Sequence, residues 1–437
     1  MNASRAFCRL KLGAAFGLLL TTAPAFAQTV DDNPRTKQEV LDRVETIIGQ
    51  SAFVPGIDFS KWTDFLKDQK AAIDAAKNDD EFRAAVNTAL HKFGASHVVL
   101  LSPRMSQARK SGATIGIGIS TQVVPDGLAI IRVVKDAAAD KAGIVVGDTI
   151  TEVDGKPATG APNMFGDEGS EMALKVKHAD GKVEDYKLVR QKYSTVRSPE
   201  LIWIDKDTAQ LKIYSFDTGY DRTKVADLIK DALKAKNLIL DLRFNGGGAV
   251  SNLQHLLGML IPDNKPVGTF IRRSTVESYI ESTGGNSTDL AAIADWSERK
   301  FRPTRRGEVP LFTGHLAVLV NKFSGSASEI AAAALHDVVG AAIIGTKSAG
   351  AVLASVIEPA TNGFMLQYPI EDYVTIKGIR LEGTGVTPDI DAQDLNLRTP
   401  NAPDDAIDKA CAYFAQAKSV ALGQKNTITG GFRYLRI

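Results

Sequence analysis

The sequence predicts an α/β fold whose centre is a parallel β-sheet covered by helices on both faces. From about residue 200, short strands alternate with helices along the chain. Three of these strands, at 238–243, 316–320 and 342–345, consist mostly of apolar residues. Such runs are typical of strands that are buried on both faces, and the helices between them supply the two covering layers.

Two smaller regions precede this core. Within residues 36–100, Val40, Val44, Ile47 and Ile48 repeat at helical spacing, which predicts a helical domain. From about residue 113 the pattern changes to short strands, read at 114–119 and 128–134, with a hairpin at Asp180-Gly181. The predicted domains are a signal peptide at 1–27, a helical domain at 28–108, a β-rich domain at 109–193, the α/β core at 194–398 and a helical tail at 399–437.

One polar segment interrupts the core pattern. Residues 268–310 are rich in Gly, Ser and charged side chains. We interpret them as an insertion that lies over the functional site.

Charge and composition exclude several classes of protein. The chain has 437 residues, of which 44% are apolar and 24% charged, so global disorder is excluded. Three basic residues and no acid fall in the first 27 positions, which leaves 49 basic and 51 acidic residues in the remainder. Because this remainder carries no excess of positive charge, nucleic-acid binding is not expected.

The N-terminus resembles a secretory signal. Arg5, Arg9 and Lys11 precede the uncharged apolar stretch 12–20, and Ala25-Phe26-Ala27 supplies the small residues that a signal peptidase reads. The alternative is an uncleaved anchor, but the apolar stretch is short for a hydrocarbon layer about 30 Å thick. We therefore expect cleavage after Ala27, a periplasmic or secreted bacterial protein, and no stable membrane insertion afterwards.

Cysteine content limits the covalent and metal chemistry. Cys8 leaves with the signal, so the remaining chain has only Cys411. A single cysteine forms no internal disulfide and no Cys-based zinc cluster. We predict no metal site.

The stretch Ser324-Gly325-Ser326-Ala327-Ser328-Glu329 is the first candidate for chemistry. It follows an apolar strand and opens a helix, so its free N–H groups can stabilise developing negative charge. A serine in this turn is a plausible nucleophile. The alternative is structural, because Ser326-Ala327-Ser328-Glu329 also fits the capping box Ser-x-x-Glu.

A glycine-rich turn is the second candidate. Asp241-Leu242-Arg243-Phe244-Asn245-Gly246-Gly247-Gly248 follows another apolar strand. Glycines let a backbone approach a ligand closely with its N–H groups exposed. The spacing matches neither a P-loop nor a dinucleotide fingerprint, and a tight turn without function is the alternative.

Together, these two segments resemble the C-terminal processing (tail-specific) serine peptidases. Gly385-Val386-Thr387-Pro388-Asp389 looks like the closing motif of that family, and residues 113–190 look like its PDZ domain. The resemblance spans about 300 residues. It implies a ClpP/crotonase-like α/β core with an N-terminal helical domain and a PDZ domain. It also implies peptide-bond hydrolysis with Ser326 as nucleophile and the N–H groups of Gly247 and Ala327 as oxyanion donors.

The sequence departs from the better-known branch of that family at the general base. That branch uses a Ser-Lys dyad whose Lys follows a Thr-x-Gly turn, but the corresponding residues here are Ser348-Ala349-Gly350-Ala351. Ala351 accepts no proton, and Lys347 precedes the turn. A dyad through Lys347 stays open as a minor alternative.

Another base is available in the helical region. Ser96-His97 resembles the Ser-His pair of the tricorn-core branch, whose catalytic set is Ser, His, Ser and Glu. In that branch the Glu precedes the closing motif by three residues, and Glu382 has this position here. The resemblance implies that His97 is the base and that Ser96 and Glu382 orient it. The alternatives are a structural histidine and a surface carboxylate.

The PDZ-like region carries its own candidate site. Gly116-Ile117-Gly118-Ile119 resembles a carboxylate-binding loop, and 142–148 matches the Ala-Gly-x-x-x-Gly-Asp turn of the family. An extended peptide can add to the strand that follows such a loop. Peptide binding and gating of the active site both stay open.

The combined prediction is an exported serine endopeptidase that needs no cofactor and acts on proteins or peptides. A homo-oligomer is compatible with the sequence. Two other classes stay open: a non-catalytic ligand-binding protein on the same fold, like interphotoreceptor retinoid-binding protein, and an adaptor in which the PDZ domain alone binds peptides.

Overall fold

The computed structural model describes residues 34–158, 164, 166–399 and 402–428 of the chain. The predicted signal peptide at 1–27 lies outside these residues. Among the described helices, none is long and apolar enough to cross a membrane.

The N-terminal region is helical, as predicted. Its helices are α1 (Pro34–Ser51), α2 (Trp62–Lys67), α3 (Lys70–Ala75) and α4 (Asp79–Leu90). Val40, Val44, Ile47 and Ile48 are buried and share one apolar core with residues from 353–368 of the peptidase-like region. The helices therefore pack against the later part of the chain.

A small sheet joins this helical region to the core. Its strands are β1 (Val99–Leu101), β13 (Gly268–Arg272), β16 (Ala354–Pro359) and β17 (Met365–Thr375). Strand β1 pairs antiparallel with β17, with Val99 opposite Gln367. Helices α9 (Arg273–Thr283) and α10 (Leu290–Trp296) pack on β13 and supply Val276 and Ile293 to a small apolar cluster.

The PDZ region has its own sheet and core. The sheet runs in the order β3 (Ile119–Val124), β4 (Gly127–Val133), β5 (Thr149–Val153), β7 (Glu171–Lys177) and β8 (Val183–Val189), with β6 (Lys156–Pro157) beside β5. Helix α6 (Ala138–Lys141) contacts β8, and helix α5 (Pro103–Ser111) precedes the strands of this sheet in the chain. Strands β7 and β8 form the predicted hairpin. Strand β3 lies at one edge of the sheet.

The prediction of one strand at 114–119 was wrong. The chain forms β2 (Ala113–Gly116), which pairs with β9 (Gln191–Ser194) outside the PDZ sheet, and then turns into β3. The break lies at Gly118, whose φ is +82° and whose added Cβ would lie 2.1 Å from the Cβ of Ala137. The pattern of apolar residues carries no information about a backbone conformation that favours glycine.

The core is a six-stranded sheet. Its order is β10 (Glu200–Trp203), β11 (Thr208–Lys212), β12 (Asn237–Asp241), β14 (His315–Val320), β15 (Ala342–Gly345) and β18 (Ile390–Asp391). All neighbours are parallel except β10, which runs antiparallel to β11 at the edge.

Helices cover both faces of this sheet, which confirms the predicted fold class. One face packs against α7 (Arg222–Ala232), α8 (Val250–Leu260) and α11 (Ala327–Val339). The other face packs against α12 (Asp405–Ile428) through Ala406, Ala410 and Phe414. The carboxyl ends of β12 and β14 carry the glycine-rich turn and the Ser326 turn, so both open at the same edge of the sheet.

Candidate active site

Ser326 lies between β14 and α11, where a turn of small residues leads into the helix. The Glu329 carboxylate accepts a hydrogen bond from the Ser326 N–H at 3.0 Å, as the predicted capping box requires. However, Ser326 has φ 54° and ψ −119°, whereas a helix N-cap is usually extended. A positive φ is strained for a residue with a Cβ, and such strain concentrates at functional sites.

The three serines of this turn have different surroundings. Ser324 is buried, and its hydroxyl donates to the Leu242 carbonyl at 2.9 Å. Ser328 is also buried and donates to the Asn245 carbonyl at 2.8 Å. Ser326 is only partly buried and lines a surface cleft. The outer serines thus fix the turn to the glycine-rich loop, and the middle one is available to a ligand.

Ser96, His97 and Glu382 form one hydrogen-bonded chain. The Ser96 Oγ lies 2.7 Å from His97 Nδ1 and donates to Glu382 Oε2 at 2.9 Å. The Ser96 N–H also donates to Glu382 Oε1 at 2.9 Å. The structure therefore brings together three of the predicted site residues across 286 positions of sequence.

The hydrogen bonds among Ser96, His97 and Glu382 determine which ring nitrogen of His97 carries the proton. A carboxylate only accepts hydrogen bonds, so the single hydroxyl proton of Ser96 points to Glu382. The Ser96 oxygen then accepts from His97 Nδ1, which must carry the ring proton. Nε2 is left unprotonated, which is the form that a general base needs.

The electrostatics of the cleft keep His97 neutral. Burial lowers the pKa of the imidazole below its usual value, and the positive charge of Arg109 lowers it further. The negative charge of Glu382 opposes this shift without cancelling it. His97 can therefore accept a proton at neutral pH.

Strand pairing fixes where His97 lies. His97 immediately precedes Val98 and β1, and β1 is hydrogen-bonded to β17. Glu382 follows the end of β17 by seven residues and is also held by the Val352 N–H, which donates to its Oε2 at 2.7 Å. Both ends of the hydrogen-bonded chain thus depend on the same small sheet.

The segment that would carry the dyad lysine contributes backbone groups instead. The N–H groups of Gly350 and Ala351 donate to Glu329 at 2.7 and 2.9 Å, and the Ala351 carbonyl accepts from the Ser326 N–H at 2.8 Å. Glu329 is fully buried, and burial raises the pKa of its carboxyl against these bonds. Lys347 is exposed and does not line the cleft.

The glycine-rich loop lies directly against the Ser326 turn. A Cβ added to Gly247, whose φ is +96°, would lie 2.6 Å from the Ser326 Cβ and 2.9 Å from the Ala327 nitrogen. The Gly247 N–H donates to Asn245 Oδ1 at 2.9 Å, so this predicted oxyanion donor is occupied by its own loop. Ala327 is the first residue of α11, and an N–H in the first turn has no acceptor within its helix.

A single cleft of about 870 Å³ contains both halves of the site. Ser96 and His97 line it together with Ser326 and Gly246–Gly248. Phe323 also lines the cleft and is 53% exposed. An imidazole base and a hydroxyl therefore face one solvent-accessible space.

The predicted carboxylate-binding loop lies away from this cleft. Gly116 ends β2, Ile117 is buried, Gly118 makes the turn and Ile119 begins β3. The Ile117 and Gly118 carbonyls accept from the backbone of 139 and 134 at 2.9 and 2.7 Å. The loop is thus fixed beside the edge strand of the PDZ sheet.

Among the described residues, no group of three or more His, Cys, Asp or Glu side chains is arranged to hold a metal ion.

Sequence reasoning missed the polar contacts that connect distant segments. Arg109 lines the cleft and forms an ion pair with Asp217 at 3.0 Å, although 108 positions separate them. Glu329 was visible only as part of a capping box, yet it also binds Ser348 Oγ at 2.6 Å. No local pattern reports such contacts, because they form only when strands are assembled.

Comparisons with known proteins agree with this architecture. Residues 207–392 match peptidase family S41, and residues 106–172 match the PDZ domain. A carboxy-terminal-processing protease of Bartonella bacilliformis is 28% identical over 290 residues, which is 63% of this chain and 60% of that protein. The chloroplastic carboxyl-terminal-processing peptidase 1 of Arabidopsis thaliana is 30% identical over 331 residues, 72% of this chain and 63% of that protein.

A solved structure shares the fold at low sequence identity. Mature CPAF complexed with lactacystin superposes with a TM-score of 0.53 at 15% identity, covering 90% of this chain and 100% of that one. The chain spans less than two thirds of the length of the two curated relatives described above. Residues 207–392 therefore form a region of peptidase family S41 with a PDZ domain before it, and the chain is similar to carboxy-terminal-processing proteases.

Proposed function

We propose that the protein is an exported serine endopeptidase that cleaves proteins or peptides through an acyl-enzyme at Ser326. The observation that supports this most strongly is the Ser96–His97–Glu382 chain, which lines the same cleft as Ser326. It supplies a neutral base where the lysine of the dyad branch is replaced by Ala351.

In the proposed reaction, His97 Nε2 removes the hydroxyl proton of Ser326 as Oγ bonds to the scissile carbonyl carbon. His97 then gives that proton to the leaving nitrogen as the C–N bond breaks. In the second half, a water molecule loses a proton to His97 and attacks the acyl carbon. The bond between that carbon and Ser326 Oγ then breaks, and Oγ takes the proton from His97. Ser96 and Glu382 hold the imidazole and stabilise its positive charge in both halves.

The N–H of Ala327 is the primary oxyanion donor in this proposal. Gly247 joins it when its N–H turns from Asn245 Oδ1 towards the substrate oxygen, or is shared between the two. A single oxyanion donor is worth about 10²–10³ in kcat, so this adjustment matters to the rate.

Fluorophosphonate labelling tests the proposal. We expect the reagent to attach at Ser326 in the wild type, and to be lost in Ser326→Ala and strongly reduced in His97→Ala. Ser355→Ala and His91→Ala are matched controls, because Ser355 lines the same cleft and His91 is exposed on the helical region. Both should label normally.

The alternatives predict other results. Folded wild type that neither labels nor cleaves unfolded proteins supports a non-catalytic binding protein. Loss of activity in Lys347→Ala with activity retained in His97→Ala supports the lysine dyad. Export is tested separately: the protein recovered outside the cytoplasm should begin at Gln28.

A further inference from the structure

A second cavity lies beside the cleft, between the PDZ region and the core. Its volume is about 720 Å³, and it contains the side chains of Arg109, Arg132 and Arg197. We call it the arginine cavity. Arg109, Ser215 and Asp217 line both this cavity and the catalytic cleft, so the two spaces adjoin.

The three guanidinium groups differ in their partners. Arg109 pairs with Asp217 at 3.0 Å. In the part of the chain that the structure describes, no carboxylate forms an ion pair with Arg132 or Arg197. The Arg197 guanidinium instead stacks on Tyr214, with 3.4 Å between its Cζ and the ring centroid.

The charge in this cavity is therefore not neutralised. Arg132 is half-buried, and burial and the positive charge of Arg197 both lower its pKa. Placing two like charges close together in a partly desolvated space is unfavourable unless an anion joins them. Guanidinium groups bind carboxylates through paired hydrogen bonds, which makes a carboxylate the natural occupant.

The edge strand of the PDZ sheet borders this cavity. Ser120 lies on the edge strand β3, opposite Arg132 in the sheet register, and lines the cavity. A chain that adds to the free edge of β3 would therefore run beside the cavity that the arginines line. Phe244 in the cavity and Phe323 in the cleft stack with 5.5 Å between ring centroids and form an apolar bridge between the two spaces.

We propose that the arginine cavity binds a carboxylate of the peptide whose scissile bond lies at Ser326. Arg132 and Arg197 supply the donors, and Arg109, held by Asp217, connects this site to the catalytic cleft. This inference rests on the proposed peptidase function, and it places anion recognition at side chains rather than at the backbone loop 116–119.

The test is a binding measurement on full-length Ser326→Ala protein, which does not depend on turnover. The probes are fluorescent unstructured peptides of graded length, each made as the free acid, as the C-terminal amide, and as the amide with Glu at the last position. We expect at least one carboxylate form to bind about tenfold more tightly than the plain amide. The third peptide distinguishes a terminal from a side-chain carboxylate.

Substitutions assign this preference to the cavity. Arg132→Gln and Arg197→Gln should each reduce the acid-to-amide ratio to about twofold or less, and added salt should weaken it. Lys187→Gln is the matched control, because this exposed cation lies on β8 and does not line the cavity. Circular dichroism checks that each variant is folded.

Two results would overturn the inference. One is equal binding of acid and amide peptides; the other is a carboxylate preference that survives both arginine substitutions. Failure of the peptidase function is distinguishable, because it shows as absence of labelling and cleavage in the wild type. A protein that labels at Ser326 but shows no acid preference keeps the function and loses this site.

Discussion

Glu382→Gln tests whether the hydrogen-bonded chain supports catalysis. Glu382 accepts from Ser96 N–H, Ser96 Oγ and Val352 N–H, two of them at Oε2. An amide has one accepting oxygen, so in either orientation its NH₂ group faces a donor. If the NH₂ faces Ser96 Oγ, the hydroxyl turns towards His97 Nδ1 and the ring proton moves to Nε2, which is the wrong tautomer for a base.

The magnitude follows from the geometry. The two hydrogen bonds of 2.7 and 2.9 Å place the carboxylate oxygen no more than about 5.6 Å from His97 Nδ1. At an effective dielectric constant of about 20, a unit charge at that distance stabilises the imidazolium by about 3 kcal/mol. Since about 1.4 kcal/mol corresponds to a tenfold change in rate, kcat should fall by roughly 100-fold or more.

The assay is steady-state cleavage of an unfolded protein or fluorogenic peptide. We expect kcat to fall with little change in KM, because the lost interaction acts on charge that develops in the transition state. Glu382→Asp keeps the charge and should lose less. If a folded Glu382→Gln protein stays within threefold of the wild-type kcat, Glu382 has no role in orienting His97. The proposed support of His97 through Ser96 and Glu382 is then wrong.

Three further outcomes follow from the same geometry. Because burial lowers the pKa of His97, kcat/KM should rise with a midpoint below about pH 6.5 and stay level through neutrality; an alkaline midpoint would contradict His97 as the base. Gly247→Ala should abolish cleavage while circular dichroism shows a folded protein, because the added Cβ would lie 2.6 Å from the Ser326 Cβ. Cleavage at a near-normal rate would contradict this packing. Asp404→Asn should lower the free energy of unfolding in urea by about 1.5–3 kcal/mol, because Asp404 accepts two hydrogen bonds from the buried Arg243 at 2.8 and 2.7 Å. An unfolding curve with the wild-type urea midpoint and slope would contradict this.

The sequence is informative where a signal is local. The apolar runs at 238–243, 316–320 and 342–345 predicted β12, β14 and β15, because strands buried on both faces need little polar surface. The resemblance to the tricorn-core branch also implied Ser96, His97 and Glu382 as one set, and in the structure Ser96 is hydrogen-bonded to both of the other two.

What the sequence did not predict depends on tertiary contacts or on backbone conformation. The interruption at Gly118 follows from a positive φ and from the position of Ala137. The bond between the Gly247 N–H and Asn245 is local, but a glycine-rich pattern does not say which N–H groups stay free. The arginines of the cavity come from separate elements, with Arg132 on β4 and Arg197 after β9, so only the folded chain brings their charges together.

The segment at 350–352 connects the two halves of the candidate site through backbone groups. The dyad branch has its lysine at the position of Ala351. In this protein, the segment contributes only backbone groups to the site. The N–H groups of Gly350 and Ala351 donate to Glu329, which in turn accepts from the Ser326 N–H. The adjacent N–H of Val352 donates to Glu382, which is hydrogen-bonded to Ser96. Consecutive peptide groups thus connect the half of the site that depends on the parallel sheet with the half that depends on the β1–β17 sheet. Because these contacts use backbone atoms, they place no demand on the side chain at 351, and this explains how an alanine can stand there while the geometry of both halves is kept.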